Sequence, residues 1–461
     1  MTIAVKTQLP SFQNDIGDVI RLFYGEGAAV EAEQTADMRL THTHSEQDSM
    51  WTECVELTDG NGLAEKEMLS APVACGGLEE KRQLKRLVKR CCYQLMKRVA
   101  GRRPAWGSLT GIRPTRLYYQ QLEAGKTRVE ARETLCSLFD LSDEKIALLD
   151  EIIDAQQGLI ARNPRACDLY IGIPFCTTRC AYCSFSSGEI GDGRLVEPYL
   201  NALFHEIEIC AQMVRAFGLD IRVGYIGGGT PSSLSTRQLE RLLNHIEKHF
   251  GKLDEFTVEA GRPDTLDEEK LRMIYSHPVT RISINPQTMN DDTLARIGRA
   301  HTAWQTEQAY ELARKIGFKD INMDVIAALP GEDYEKFAYT LERIREMKPE
   351  SLTVHTLAIK RSSKLHEVRY AQNEQDVAQM VELGRQTAHE MGMRAYYLYR
   401  QKYMADNLEN VGYAVPEKVC RYNIDNMEET TSGVGTGRGR NLKMCDARRG
   451  KNTARTEYSQ Y

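Results

Sequence analysis

The chain has 461 residues, a net charge of −5 and a hydrophobic content of 41%, values that are ordinary for a soluble globular protein. A chain of this length is expected to hold more than one domain. The sequence has no run of 18 apolar residues, and its first ten residues lack the apolar core of a signal peptide. We therefore expect a cytoplasmic protein without a membrane span. The small net charge excludes a general attraction to nucleic acid.

Residues 1–163 are predicted to form a smaller accessory α+β domain without a chemical motif. Asp18 to Phe23 and Met50 to Leu57 are short β-like runs and are predicted to be strands. A long amphipathic helix is predicted from Glu79 to Val99, because its apolar residues recur at helical spacing. His42 and His44 are interpreted as part of a polar loop rather than as half of a metal site.

From residue 164 the pattern changes to short apolar runs that alternate with amphipathic helices, which predicts a parallel sheet. Six such units indicate an α/β fold with a partial (β/α)6 TIM-like barrel in residues 164–400, followed by a C-terminal segment, 401–461. The predicted strands are Leu169 to Ile173, Val223 to Gly227, Phe256 to Glu259, Arg281 to Ile284, Ile321 to Ala327 and Leu352 to Leu357. Functional residues are then expected at the carboxyl ends of the strands.

Three cysteines follow the first predicted strand at C-x-x-x-C-x-x-C spacing: Cys176, Cys180 and Cys183. Thiolates are the usual ligands of iron–sulfur clusters, and three of them leave one iron of a 4Fe–4S cube without a protein ligand. That iron can bind and cleave S-adenosylmethionine (SAM), which gives a 5′-deoxyadenosyl radical. The alternatives are a zinc site or buried thiols without a ligand. Zinc usually takes four ligands in two pairs, no second pair is found, and the aromatic Tyr182 fits the radical pattern better.

Further candidate residues fall at the ends of the following predicted strands. Gly227 to Gly229 lack side chains, so the backbone there can approach a ligand closely. The polar residues at the next strand ends are Glu259, Gln287 and Asp324. Each alone has an ordinary interpretation as a surface or helix-capping residue, but at successive strand ends they can converge on one ligand. Arg299 is either an exposed residue or a clamp for a carboxylate.

Several separated motifs resemble those of one enzyme family. They are Tyr170-Ile-Gly-Ile-Pro-Phe-Cys176, Gly227-Gly-Gly-Thr230-Pro231, Val258-Glu259-Ala260, Arg281-Ile-Ser-Ile-Asn-Pro-Gln287, Gly298-Arg299-Ala-His301-Thr302 and Leu329-Pro330-Gly331-Glu332. Together they resemble the oxygen-independent coproporphyrinogen III oxidase family of radical SAM enzymes. A longer similarity, which takes in Trp106 to Pro114 and Tyr396 to Arg400, indicates the branch with an extra N-terminal domain, usually called coproporphyrinogen dehydrogenase.

The resemblance implies a role for each matching residue. Cys176, Cys180 and Cys183 would bind a 4Fe–4S cluster. The SAM site would be lined by Tyr170, Tyr182, Gly229, Thr230, Glu259, Gln287, Arg299, Asp324 and Ala358. No catalytic residue is assigned beyond the cluster and the SAM site.

The implied reaction is the oxidative decarboxylation of two propionates of coproporphyrinogen III to vinyl groups, which gives protoporphyrinogen IX in anaerobic heme biosynthesis. The radical abstracts a hydrogen from the propionate β-carbon, and carbon dioxide leaves with loss of an electron. The cofactor supplies the radical, while the protein supplies orientation and exclusion of water. The implied partners are coproporphyrinogen III or a related tetrapyrrole, and an electron donor such as flavodoxin or ferredoxin.

The cysteine loop departs from the family pattern at the two residues after its third cysteine. After the third cysteine this chain reads Ser184-Phe185, whereas the best-characterised members read Gly-Cys. The Ser-Phe form also occurs in a sister group that resembles heme chaperones. Two alternatives therefore stay open: a heme-binding chaperone on the same scaffold, and a radical SAM enzyme that acts on another tetrapyrrole.

A second departure is Gly172 in the first strand, where the best-characterised members carry a histidine, and the C-terminus is the third. From about Gly433 the chain has a basic Gly/Arg-rich tail where the family would continue with alternating small residues and a further helical segment. We interpret the segment from about residue 433 as truncated or out of frame, with loss of activity as the expected consequence. A genuine disordered Gly/Arg-rich tail is the alternative.

Overall fold

The first unit of the fold comprises Met1–Leu149 and Asp406–Leu408. The computed structural model describes residues 1–59, 62–74, 76–111, 113–160, 163, 165–368, 370, 376–437, 442–446 and 451–456. The elements of this first part of the chain are β1 (Ile3–Thr7), α1 (Gln13–Tyr24), β2 (Ala29–Glu31), β3 (Met38–Gln47), β4 (Met50–Asp59), β5 (Gly62–Pro72), α2 (Gly77–Ala100), α3 (Pro114–Glu123), α4 (Arg128–Phe139) and α5 (Asp143–Ala155). The strands form one sheet in the order β2-β1-β3-β4-β5, and α1 and α2 pack their apolar residues against it.

The segment Asp18 to Phe23 belongs to α1, so its prediction as a strand is wrong. Ile16, Ile20 and Phe23 recur three and four residues apart and are all buried, which is the spacing of one helix face. The apolar pairs inside this short window also satisfy a strand pattern, and periodicity over six residues does not separate the two. The helix forms because the apolar face extends beyond the window, from Phe12 onward.

His42 and His44 lie on β3 and not in a loop, so that prediction is also wrong. Both imidazoles contact one buried carboxylate. His42 Nε2 is 2.8 Å from Glu53 Oε2, and His44 Nδ1 is 2.7 Å from Glu53 Oε1. Since Glu53 is fully buried on β4, this network satisfies polar groups within the sheet.

The second unit begins at Asp150 and contains the rest of the described chain. Its further elements are β6 (Ala166–Ile173), β7 (Phe175–Cys176), β8 (Gly188–Glu189), α6 (Val196–Ala216), β9 (Asp220–Gly228), α7 (Thr236–Phe250), β10 (Glu255–Val258), α8 (Glu268–Ser276), β11 (Arg281–Ser283), α9 (Asp291–Arg296), α10 (Ala303–Ile316), β12 (Ile321–Ala327), α11 (Tyr334–Met347), β13 (Ser351–Thr356), α12 (Lys364–Glu367), α13 (Val377–Glu390), β14 (Arg394–Tyr399), β15 (Asn410–Ala414), α14 (Arg421–Glu428), β16 (Ser432–Gly437), β17 (Leu442–Asp446) and β18 (Lys451–Thr456). The division between the two units falls between Leu149 and Asp150, inside α5. The domain boundary predicted at residues 163–164 stays a prediction.

The large sheet has the strand order β14-β15-β13-β12-β11-β10-β9-β6-β16-β17-β18. Neighbours from β6 to β13 pair in parallel, which confirms the predicted parallel α/β core and its six strands. β15 and β14 extend it in antiparallel fashion. Because neighbouring parallel strands all run the same way, their carboxyl ends meet at one edge of the sheet. In the part of the chain that the structure describes, no helix combines the length and apolar character needed to cross a membrane.

Two of the helices between the strands, α7 and α10, begin with a capping box. Ser235 caps α7 by accepting from Gln238 N, and Gln238 returns a hydrogen bond in a capping box, which satisfies the first free N–H groups of the helix. The inner face of α7 is then a buried apolar stripe: Leu239, Leu242, Leu243 and Ile246. Thr302 and Gln305 start α10 in the same way.

The strand β16 lies in the segment predicted to be out of frame or disordered. It pairs in parallel with β6, from Ser432 opposite Cys167 to Gly437 opposite Gly172. Val434 is buried, and Gly437 N donates to Glu206 Oε2 at 2.7 Å. Residues 432–437 thus have regular structure, while the altered reading frame from about residue 433 stays a prediction.

Candidate functional site

The cysteine loop leaves β6 and is held by backbone hydrogen bonds on both sides. Cys176 lies on β7, and its carbonyl accepts from Ile190 N at 2.8 Å. Ala181 N donates to Ile297 O at 2.8 Å, so the loop is also fixed to the segment after α9. Cys180 is buried and Cys183 is half-buried. The thiols of Cys176, Cys180 and Cys183 are free, and all three residues line one cleft of about 620 Å³.

Hydrogen-bond donors surround two of these thiols. Thr230 Oγ1 donates to Cys176 Sγ at 3.5 Å. Arg262 Nη1 and Arg299 Nη1 lie 3.9 Å and 4.0 Å from Cys180 Sγ. Positive charge next to sulfur favours the thiolate, which is the form that ligates metal. Sequence reasoning missed Arg262, although its place just beyond the third strand of the barrel was a usable signal.

Burial raises the pKa of the Cys183 thiol. A buried thiol in an apolar setting stays protonated unless a cation compensates for the loss of hydration. A bound metal ion provides that compensation and deprotonates a coordinating thiol. The loop is therefore suited to carry thiolates around a metal group rather than a free anion.

The glycine loop leaves no space for side chains beside the cysteines. A Cβ added to Gly229 would lie 2.5 Å from Phe175 O and 3.0 Å from Cys176 Sγ. Gly229 N donates to Ile173 O at 2.7 Å, which fixes this close approach. The preceding Gly228 has a φ of +108°, a conformation that favours glycine.

Two buried amide side chains at the floor of the cleft present acceptors without a partner. Within the described residues, Gln287 Oε1 and Asn285 Oδ1 are buried and accept no hydrogen bond. The backbone of Gln287 has a φ of +67° and is held by Asp324 O, which accepts from Gln287 N at 2.9 Å. Buried acceptors in folded proteins are normally satisfied. This pair is therefore suited to a ligand that brings donor groups into the cleft.

Asp324 and Glu259 lie on the same floor and already contact protein donors. Asn322 Nδ2 donates to Asp324 Oδ1 at 2.7 Å, and His355 Nε2 lies 3.7 Å from Asp324 Oδ2. Burial alone would raise the pKa of Asp324, but His355 and its other donors hold that pKa below its usual value. Tyr225 OH donates to Glu259 Oε2 at 3.3 Å. Both side chains can thus serve a ligand as acceptors.

Arg299 is buried, and its guanidinium is partly occupied by the protein. Its Nη2 donates to Gly261 O at 2.9 Å and to Asn285 O at 2.8 Å. Its Nη1 lies 3.4 Å from the hydroxyl of Tyr182 and faces the cysteine loop. Its buried Nε has no hydrogen-bond partner among the described residues, so Nε and Nη1 are the nitrogens left to meet a carboxylate.

The cleft brings together every residue for which the sequence predicted a role. Besides the three cysteines it is lined by Tyr170, Tyr182, Gly229, Thr230, Glu259, Gln287, Arg299, Asp324 and Ala358. Ala358 follows β13 and forms an isolated bridge with Met404.

Sequence reasoning missed the aromatic wall of this cleft. The rings of Tyr170 and Tyr225 stack with centroids 6.0 Å apart, and Tyr422 stacks on Tyr225 at 4.8 Å. Tyr397 and Tyr399 form a second stacked pair at 6.3 Å. Such rings present flat apolar surface together with polar hydroxyls. The wall is contributed by separate strands and a helix, so no local motif identifies it.

His301 lies behind the site and makes folding sensitive to acid. Burial and the charge of Arg299 lower the pKa of His301 to about 3, although Asp264 opposes this. In the unfolded chain its pKa is about 6.5, so below that pH the unfolded state binds a proton that the folded state does not. The free energy of unfolding is therefore not reduced by His301 above about pH 6.5, and it falls as the pH is lowered from there toward 3.

We therefore expect His301→Gln to lose less stability than the wild type between about pH 7 and about pH 5. The measurement is denaturant unfolding of both proteins at a series of pH values. If the free energies of unfolding of the two proteins differ by the same amount at every pH, the assignment is contradicted.

Comparison with known proteins defines the class of this site. Residues 170–344 match the family model described as the radical SAM superfamily, which uses a 4Fe–4S cluster and SAM. Residues 170–344 thus form a radical SAM domain. The chain is also 37% identical over 448 residues to the Bacillus subtilis oxygen-independent coproporphyrinogen-III oxidase-like protein HemZ, which covers 95% of this chain and 89% of that protein. It belongs to this coproporphyrinogen oxidase family of heme and porphyrin biosynthesis.

Two further relatives match shorter parts of the chain. The heme chaperone HemW of Bacillus subtilis is 37% identical over 193 residues, which are 41% of this chain and 50% of the chaperone. The chain thus spans about half the length of that chaperone. The structure of Escherichia coli coproporphyrinogen III oxidase, a radical SAM enzyme, superposes with a TM-score of 0.50 and 23% identity over 60% of this chain and 65% of its own. This last likeness shows the fold alone.

Proposed function

We propose that Cys176, Cys180 and Cys183 bind the 4Fe–4S cluster. Three free thiols on one loop, with two guanidinium groups and a hydroxyl at their sulfur atoms, support this assignment. The backbone at Gly229 packs directly on the cysteine loop, which leaves no space for a Cβ beside Cys176 and fixes the position of that thiol. These observations fit a bulky anionic metal group better than isolated thiols.

SAM would occupy the cleft beside the cluster. The proposed site residues are Tyr170, Tyr182, Gly229, Thr230, Glu259, Gln287, Arg299, Asp324 and Ala358. The partnerless acceptors of Gln287 and Asn285 suit the donor groups of such a ligand, and Nη1 of Arg299 suits its carboxylate. Bound together, the cluster and SAM supply an organic radical that abstracts hydrogen.

The protein's own contribution is to position the substrate and to keep water away. The stacked tyrosines form a wall on which pyrrole rings can pack, and hydroxyls such as that of Tyr399 point polar groups at the same space. Such a site increases the reaction rate because it holds the reacting carbon next to the radical source. His355 joins the floor to the wall, because it lies 3.7 Å from Asp324 Oδ2 and its Nδ1 is 3.4 Å from the hydroxyl of Tyr399.

The function that this geometry supports best is oxidative decarboxylation of two propionates of coproporphyrinogen III to give protoporphyrinogen IX. The observation that carries the proposal is the sharing of one cleft by the cysteine thiols, the partnerless acceptors and the tyrosine wall. Identity to the oxidase-like relative along 95% of the chain adds support. An electron donor such as flavodoxin or ferredoxin and a cytoplasmic location are part of this proposal.

A heme-binding chaperone is the second candidate. Ser184-Phe185 follows the last cysteine, and Phe185 is 69% exposed and lines the cleft. Its ring can therefore pack against a flat apolar ligand. The identity to the heme chaperone over 193 residues supports the same candidate. Turnover of another tetrapyrrole is a third outcome of the test below.

The test is anaerobic incubation of the cluster-reconstituted protein with coproporphyrinogen III, SAM and a strong reductant. Formation of 5′-deoxyadenosine together with protoporphyrinogen supports the oxidase. Tight heme binding without formation of 5′-deoxyadenosine supports the chaperone. Formation of 5′-deoxyadenosine only in the presence of heme would indicate another tetrapyrrole. The matched control is the variant with all three loop cysteines changed to alanine.

A further inference from the structure

A second cluster of metal-ligand side chains lies between two helices outside the cleft. Glu208 is on α6, and His245 and His249 are on α7. None of the three lines the cleft. The two imidazole side chains are each 16% exposed, while the carboxylate is 44% exposed. The cluster is thus sheltered but can be reached from solvent.

Helix geometry places the two imidazoles side by side. Residues four apart lie on the same helix face, and the rings of His245 and His249 have centroids 4.6 Å apart. Their Nε2 atoms lie 3.7 Å and 4.0 Å from Glu208 Oε1. One ligand atom from each residue falls within 4.8 Å of the other two.

These distances are close to those of a metal site. Zinc binds imidazole nitrogen and carboxylate oxygen at about 2.0–2.2 Å, so ligand atoms of a tetrahedral ion are about 3.4 Å apart. The two separations from Glu208 Oε1, 3.7 Å and 4.0 Å, exceed that value by a few tenths of an ångström, which side-chain rotation can close. Imidazole with carboxylate is a ligand set that zinc takes in three-ligand sites.

One of the imidazoles has a ligand atom with nothing else to bind. Within the described chain, His249 Nε2 is buried and has no hydrogen-bond partner. His245 Nε2 lies 3.1 Å from Phe204 O, so this nitrogen carries the proton in the absence of metal. Binding a metal requires the other tautomer, with the proton on Nδ1. The Phe204 carbonyl is therefore the competing partner.

We propose that Glu208, His245 and His249 form a zinc site that joins α6 to α7. Three protein ligands leave the fourth position of the ion to water. The ordinary alternative is an ion pair between the carboxylate and protonated histidines. The two differ in whether a divalent cation is held with a defined stoichiometry, which is what the experiment measures.

The experiment is calorimetric titration of Zn²⁺ into chelator-treated protein that retains its 4Fe–4S cluster, under anaerobic conditions. The occupied cysteines then do not compete for zinc. We expect one saturable site per chain in the wild type. Since changes of residues that only support a ligand cost about 10–100-fold in affinity, His249→Ala and Glu208→Gln should lose more than about 100-fold. The matched control is His205→Ala, one helical turn before Glu208 and exposed, which should bind zinc like the wild type.

Three outcomes would overturn the proposal. They are absence of saturable zinc binding in the wild type, unchanged affinity in both His249→Ala and Glu208→Gln, and equal loss in His205→Ala. X-ray absorption of the zinc-loaded wild type is the second measurement. Nitrogen and oxygen neighbours with the outer scattering of imidazole support the site, whereas sulfur neighbours assign the zinc to vacated loop cysteines and reject it. Matched circular dichroism spectra of the metal-free variants show that their folds are comparable.

Discussion

Cys180→Ala, reconstituted anaerobically with iron and sulfide, is expected to retain little iron and to lose SAM cleavage by more than about 100-fold. Cys180 is the buried member of the loop and the one whose sulfur lies next to both Arg262 and Arg299. Its removal takes away a ligand and a hydrogen-bond acceptor of both guanidinium groups, of which Arg262 keeps its ion pair with Asp264. The measurements are iron and sulfide content, the EPR spectrum of the reduced protein and the yield of 5′-deoxyadenosine.

The control for this variant is Cys92→Ala. Cys92 is also fully buried, but it lies on α2 in the core of the first unit. The change removes a thiol from the chain without touching the cleft, so iron content and SAM cleavage should match the wild type. An iron-loaded and active Cys180→Ala protein would refute the three-cysteine assignment.

Gly229→Ala is expected to reduce SAM cleavage by at least about tenfold through displacement of the cysteine loop. The added Cβ would meet Phe175 O at 2.5 Å and Cys176 Sγ at 3.0 Å. Neither atom is the flexible end of a long side chain, so the loop has to shift, at a cost of about 1–3 kcal/mol for overpacking. Cluster content and the rate of 5′-deoxyadenosine formation report the displacement, and thermal unfolding reports the strain.

Gly188→Ala is the matched control. Gly188 lies on β8, which pairs with the strand that holds Cys176, yet a Cβ there meets no atom within 4 Å. The same substitution beside the same loop should therefore leave cluster content and rate unchanged. If the two alanine variants have the same cluster content and rate, the close approach at Gly229 is not needed for cluster binding or SAM cleavage.

The barrel core was predictable because buried parallel strands read as short, nearly continuous apolar runs. β6, β9 and β12 each contain such a run, and the helices between them carry clear apolar stripes. Once the strands were placed, the rule that parallel strands present their carboxyl ends at one edge gathered distant residues such as Cys176 and Asp324 into one cleft.

The remaining features depend on contacts that a local pattern does not contain. The tyrosine wall combines Tyr225 on β9, Tyr399 on β14 and Tyr422 on α14, and their meeting depends on the antiparallel strands β15 and β14 added after β13. His42 on β3 was wrongly predicted to lie in a loop. A buried polar residue is stable in a strand when it has a hydrogen-bond partner, and this partner, Glu53, lies on the neighbouring strand. The helix α1 was misread for lack of a longer window.

The strand that carries the cysteine loop has a neighbour on each side, β9 and β16. Its second neighbour, residues 432–437, is made long after β6 and β9, so half of its backbone N–H and C=O pairing waits for a segment far along the sequence. A chain in which residues 432–437 fail to dock would present β6 as a bare edge, and such edges recruit strands from other molecules. Solubility on expression is then governed by a segment that makes no contribution to the floor of the cleft.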